Sequence, residues 1–96
     1  LICACIDIGS NTTRLLVADA GDGQLRELVT QRAFTRIGKG LGSGGAIPAE
    51  KIAETAEVVC TQAAVAREVG ADHIIAVATA VIRNAPNRAD LLAAVQ

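Results

Sequence analysis

Ninety-six residues, 51% of them apolar, suffice for one domain or part of one with a modest core, and they exclude a disordered chain. A net charge of −1 and a single aromatic residue, Phe34, exclude a broad nucleic-acid or membrane-binding surface and leave no row of rings on which bases could stack. No apolar run reaches membrane-spanning length, no signal peptide is evident, and the core must be built from Ile, Val, Leu and Ala. The chain starts at Leu1 without any methionine and Gln96 falls within a helical pattern, so a segment of a longer protein is expected.

The run Ile2-Cys3-Ala4-Cys5-Ile6 predicts a strand over residues 2–8, apolar on both faces and therefore central and covered on both sides. Gly9, Ser10, Asn11 and Thr12 make a tight turn, and a second strand runs over residues 13–20. Gly21-Asp22-Gly23 predicts a hairpin into a more polar outer strand over residues 24–36, completing a three-stranded antiparallel meander. Residues 38–45, rich in glycine, read as a flexible loop. A helix starts near Pro48, with Ile52, Ala56, Val59, Ala63 and Ala66 on one face and Glu50, Glu54, Glu57 and Arg67 largely away from it; Gly70 stops it. His73-Ile74-Ile75-Ala76-Val77-Ala78 predicts a buried strand, set parallel to an earlier one by the helical crossover. Residues 79–83 form a short turn or helix, and Asn84-Ala85-Pro86 breaks it. Asn87 with Asp90 resembles a capping box opening a last helix with Leu91, Leu92 and Val95. The order β-β-β-α-β-α implies an α/β fold with a mixed sheet.

The chemistry concentrates where the first strand ends. A carboxylate there, Asp7, costs free energy unless a cation or donors compensate it, and a turn of small polar residues offers backbone N–H groups to an anion. Arg14 follows the turn and is suited to bidentate phosphate contact. Arg83 lies in the loop after the fourth strand, where a sheet gathering ligands at its strand ends would bring it to the same anion. The plain alternatives are a turn-capping carboxylate and two solvated arginines. Residues 40–45 match G-x-G-x-x-G literally, but no acid closes the next strand, so a dinucleotide site is rejected; no G-K-[ST] is present either. Cys3 and Cys5 share a strand face about 6.5–7 Å apart, poor for a disulfide, and with Cys60 read as buried small hydrophobes in a reducing compartment. His73 reads as structural, and Arg32, Arg36 and Lys39 as a loose basic cluster before the glycines, either a solvated loop or a contact for a polyanion.

The segment Ile6-Asp7-Ile8-Gly9-Ser10-Asn11-Thr12-Thr13-Arg14-Leu15-Leu16-Val17 resembles the opening of the exopolyphosphatase and guanosine pentaphosphate phosphatase family. Thr35-Arg36-Ile37-Gly38-Lys39-Gly40-Leu41, Ala76-Val77-Ala78-Thr79-Ala80-Val81-Ile82-Arg83 and Asn84-Ala85-Pro86-Asn87 resemble three further segments of that family, at matching spacing. The resemblance implies a ribonuclease H-like, actin-like ATPase fold in two lobes, with residues 1–96 forming part of the first. It implies release of terminal phosphate from inorganic polyphosphate, or of the 5′ γ-phosphate from guanosine pentaphosphate, an alarmone of the stringent response, with Mg²⁺ as cofactor. Asp7 would support the metal and water; Gly9, Ser10 and Asn11 would cradle phosphate; Arg14 and Arg83 would bind phosphate oxygens. The family's water-activating glutamate and second-lobe phosphate loop fall outside this chain, so the chain alone is expected to be inactive. A cytoplasmic, homodimeric full-length protein is implied, with polyphosphate, guanosine pentaphosphate or guanosine tetraphosphate as ligand and neither nucleic acid nor membrane as partner. Two other readings share the superfold: an ATP-dependent kinase, and a regulator that binds phosphate or alarmone without turnover.

Overall fold

The computed structural model describes residues 1–40 and 45–95. Strand β1 (Ile2–Ile8) pairs antiparallel with β2 (Thr13–Asp19), and β2 pairs antiparallel with β3 (Arg26–Ala33), which forms the meander expected from the alternation of apolar runs and glycine turns. A 3₁₀ turn, Gly21–Gly23, makes the second hairpin; Asp19 Oδ1 accepts from the Gly21 N–H at 3.0 Å, and Gly23 takes a φ of 71°, open to glycine without strain. Helix α1 (Ala49–Val69) then crosses over, and β4 (His73–Ala78) returns parallel to β1. The sheet order is β3-β2-β1-β4. Two short helices, α2 (Ala80–Arg83) and α3 (Arg88–Val95), complete the chain.

Pro48 precedes α1 with its ring-fixed φ of −59°, and Gly70 closes the helix in the left-handed region at φ 100°, its N–H reaching the Ala66 and Arg67 carbonyls. Both helix ends were legible from these two residues. The parallel joint is closed near the start of β4 by Asp72, whose N–H donates to the Ile2 carbonyl at 2.7 Å while its Oδ2 accepts from the Ile2 N–H at 3.1 Å.

One face of the sheet is covered. Ala4, Ile6 and Ile8 of β1 and Leu15 and Val17 of β2 pack with Val59 and Ala66 of α1, Ile82 of α2, Leu91 of α3, and Ile37, Ile47 and Ala85 of the connections. The reading of β1 as covered on both sides is therefore corrected. It is central in the sheet, but Cys3, Cys5 and Asp7 on its other face are only half-buried, because the helices of this chain all contribute to one side. β4 is likewise not the buried strand expected. It lies at the sheet edge, and Ile75 and Val77 are 60% and 47% exposed. Cys60 is exposed on α1 rather than buried.

Two further corrections concern side chains. The buried stripe of α1 is Thr55, Val59, Gln62 and Ala66; Ile52, Ala56 and Ala63 flank it half-buried, because the helix is rotated to set two polar side chains against the sheet. Asn87 caps no helix with its side chain. Its amide clamps the Ile47 backbone instead, Oδ1 accepting from the Ile47 N–H and Nδ2 donating to the Ile47 carbonyl, both at 2.8 Å. The glycine-rich loop is described only in part: Ile37–Gly40 is a 3₁₀ turn, and residues 41–44, which carry most of the G-x-G-x-x-G match, lie outside the described residues.

Candidate functional site

The turn over residues 9–12 is held from behind. The Gly9 N–H donates to the Thr12 carbonyl at 2.9 Å, closing the turn on itself. The Gly38 N–H donates to the Ser10 carbonyl at 2.7 Å and the Arg36 N–H to the Asn11 carbonyl at 3.0 Å, so the connection after β3 occupies both carbonyls. Among the described residues, the backbone N–H groups of Ser10, Asn11 and Thr12 meet no protein acceptor. The turn thus spends the carbonyls of Ser10, Asn11 and Thr12 on the protein and keeps the N–H groups of those three residues, the polarity that suits an anion; the Gly9 N–H, expected to join the cradle, is taken by Thr12 instead.

Two glycines make this packing possible. A Cβ on Gly9 would lie 2.9 Å from the Thr12 carbonyl oxygen, and one on Gly38 would lie 3.0 Å from Ser10 Cβ. Arg36 adopts a φ of 51°, uncommon for a residue with a side chain, at the point where its N–H meets Asn11.

Asp7 and Arg14 face each other across β1 and β2, and Arg32 of β3 faces Arg14, so the three form one row across the open face of the sheet. Asp7, Thr12, Arg14, Arg32 and Phe34 line a pocket of about 260 Å³ beside the turn. Asp7 is half-buried and both arginines are exposed. Phe34 lies just past the end of β3, 64% exposed at this pocket, and takes no part in the core.

The second predicted loop does reach the first. The Thr79 N–H donates to the Ile8 carbonyl at 3.1 Å, and Thr79 Cγ2 is 3.8 Å from where a Gly9 Cβ would stand. Arg83, however, does not line the Asp7–Arg14 pocket. Its Nη1 donates to the Ala78 carbonyl at 2.6 Å, and it borders a separate apolar groove with Ile82, Arg88 and Leu91. His73 opens β4 on the exposed side, in register with Cys3.

Sequence reasoning missed the layer beneath the turn. Thr13 and Thr35, both fully buried, share a hydroxyl–hydroxyl hydrogen bond of 2.9 Å. Gln62 Nε2 donates to the Thr13 carbonyl at 3.1 Å and Lys51 Nζ to the Thr35 carbonyl at 3.1 Å. The start of β2 and the connection after β3 are thereby tied to α1 through polar bonds, which are more directional than apolar contact. The available signal was Thr55 and Gln62 interrupting an otherwise apolar helical stripe that includes Val59 and Ala66.

The sequence profile of the Ppx/GppA phosphatase family matches residues 16–96. Among curated proteins, an exopolyphosphatase 2 of Mycobacterium tuberculosis is 33% identical over 89 residues, covering 88% of this chain and 28% of that protein. An uncharacterised Streptomyces coelicolor protein is 37% identical over 91 residues, 95% of this chain and 27% of its own length. Among solved structures, the Aquifex aeolicus PPX-GPPA enzyme superposes with a TM-score of 0.90 at 33% identity, over 99% of this chain and 32% of the enzyme. An exopolyphosphatase from Cytophaga hutchinsonii superposes with a TM-score of 0.91 at 25% identity, over 99% of this chain and 30% of that one. The chain spans about a third or less of the length of these relatives. Its mixed four-stranded sheet with flanking helices matches the N-terminal lobe of their actin-like fold. The chain belongs to the Ppx/GppA phosphatase family.

Proposed function

We propose that this chain is the first-lobe segment of a phosphohydrolase that releases terminal phosphate from inorganic polyphosphate, or the 5′ γ-phosphate from guanosine pentaphosphate, by attack of water. The observation that carries the reading is the turn over residues 9–12, whose Ser10 and Asn11 carbonyls are engaged by Gly38 and Arg36 while the N–H groups of Ser10, Asn11 and Thr12 meet no acceptor among the described residues, beside Asp7 and Arg14. Phosphoryl transfer needs positioning and charge neutralisation more than covalent participation. In this reading Ser10 and Asn11 present their backbone N–H groups to a phosphate, and Gly9 lets the turn close tightly enough to do so. Arg14 adds a planar pair of donors. Arg83 joins the anion by exchanging its bond to the Ala78 carbonyl for one to a phosphate oxygen.

The donor set also bears on a divalent cation. Among the described residues no three His, Cys, Asp or Glu side chains converge, and Asp7 is the one carboxylate at the pocket. That fits Mg²⁺, which binds through one or two carboxylates with phosphate oxygens and waters completing its shell. Asp7 would hold it, directly or through water, and the bound ion would offset charge on the phosphate oxygens.

The test is phosphate release by the full-length protein from long-chain polyphosphate and from guanosine pentaphosphate, each with and without Mg²⁺. Metal-dependent release from either to water supports the proposal. Release that requires a sugar or acetate acceptor and ADP would replace it with the kinase reading, and binding without release with the regulator. The 96-residue chain by itself is expected to release none, since general-base catalysis alone typically supplies about 10²–10⁴-fold.

A further inference from the structure

We propose that Arg32 is a second anion-binding residue of this site, paired with Arg14 to grip the part of a linked phosphate chain farther from the turn over residues 9–12. The inference rests on the phosphate-binding reading above and extends it to Arg32, one member of a basic cluster that the sequence leaves open between a solvated loop and a polyanion contact.

The register is the first observation. Arg14 and Arg32 are direct partners across the β2–β3 ladder, and both line the pocket with Asp7, Thr12 and Phe34. Like charges placed directly opposite on a ladder repel, so the pair is an unfavourable choice for structure alone. Charge balance is the second. Within the row, two guanidinium groups and one carboxylate, Asp7, leave one positive charge; Glu54 and Glu57 of α1 line a second cavity with Arg32 but form no ion pair with it. The ion pairs found among the described residues join Asp19 with the Leu1 amino group and with Arg26, and Lys51 with Glu54; none involves Asp7, Arg14 or Arg32. Arg26 shows the contrast, because it sits on the same strand and faces a carboxylate.

Position supplies the third. Arg14 follows the turn directly, whereas Arg32 lies one strand further out, and adjacent strands are about 4.8 Å apart. An orthophosphate at the turn meets Arg14 first. Only an anion carrying further phosphates lies along both arginines, and that places an extended polyanion on this row. Inorganic polyphosphate and a nucleotide polyphosphate share this chemistry. Arg32 touches the anion and not the bond that breaks, so its effect belongs in binding.

The experiment uses the full-length protein and three variants: Arg32→Gln, Arg32→Lys and Arg26→Gln. Tripolyphosphate is the probe in a thermal-shift titration, with orthophosphate beside it, and KM and kcat are measured on polyphosphate and on guanosine pentaphosphate. Arg32→Gln is expected to raise KM about ten- to hundredfold, as loss of a charge-assisted hydrogen bond implies, with kcat nearly unchanged. It should also abolish most of the tripolyphosphate shift and little of the orthophosphate shift. Arg32→Lys should restore part of both, and Arg26→Gln should match wild type. A raised KM on one substrate only would identify which phosphate chain lies on the row. Wild-type KM and tripolyphosphate shift in Arg32→Gln would overturn the assignment, as would a fall confined to kcat. If the wild-type protein bound tripolyphosphate through Arg32 but hydrolysed neither substrate, the phosphatase reading would fail while the anion grip stood.

Discussion

The two faces of the sheet are made from the same four strands and do different work. On the covered face Ala4, Ile6, Ile8, Leu15 and Val17 meet the helices and are almost entirely sealed from solvent. On the open face the intervening residues Cys3, Cys5, Asp7, Arg14 and Leu16 are half-buried or exposed, and every charged member of the candidate pocket lies there. Strand alternation alone separates the core from the candidate pocket: one residue along the chain changes a side chain's place from packing against the helices to lining that pocket. The site is thus built on the back of the core, with its backbone fixed by packing it does not touch.

Substitutions on the two faces should therefore fail in different measurements of the full-length protein. Leu15→Ala removes a fully buried side chain and should lower stability by about 2–5 kcal/mol, read by denaturant unfolding, while the molecules that stay folded keep wild-type KM. Asp7→Asn should do the opposite. Turnover should fall by about 10²-fold or more, near 3 kcal/mol of lost electrostatic support, with melting temperature held or slightly raised. A destabilised Asn variant with normal Mg²⁺ dependence would erase the distinction between the faces at this position.

Arg14→Ala should weaken phosphate binding by about 1.5–3 kcal/mol, and Arg83→Ala by less, because Arg83 must first release the Ala78 carbonyl. Equal losses in KM for the two would show that Arg83 belongs to the pocket as fully as Arg14. The smallest effect is expected where the faces communicate. Gln62→Leu removes the amide that supports the Thr13 carbonyl and also removes the buried, unpartnered Gln62 Oε1, so the net cost should be about 1 kcal/mol, with KM shifted slightly. An unchanged KM together with a full loss of 3 kcal/mol or more would make Gln62 purely a core residue.

Much of the fold was readable because glycine and proline punctuate it. Pro48 and Gly70 bracket α1, the second hairpin follows from residues 21–23, and β4 spans the six residues expected of it. The candidate turn was readable for the same reason: an acid, a glycine and small polar residues occur together between two apolar runs. What escaped depended on orientation. Cys3 and Cys5 are about as apolar as Ala4, so composition could not say which side of β1 the helices would cover. The rotation of α1 goes with hydrogen bonds from Gln62 to the β2 carbonyl of Thr13 and from Lys51 to the carbonyl of Thr35 just past β3, and these leave no apolar period to detect. Arg32 could be placed opposite Arg14 only once the β2–β3 register was known, and that register shifts between Val17 and Ala18. A one-residue slip would have sent Arg32 to the other face.

The sheet ends in two unlike borders. β3, on one side, carries Arg26, Glu27 and Arg32, charges that discourage a foreign strand from pairing there. β4, on the other, presents Ile75 and Val77 to solvent in a short apolar run whose only charge-capable residue is His73. An unprotected border of that kind is a template for self-association. Produced on its own, this 96-residue segment should therefore be a poor colloid, sedimenting as a mixture that an Ile75→Lys change disperses, so that solubility, before any assay of chemistry, reports the state of the β4 border.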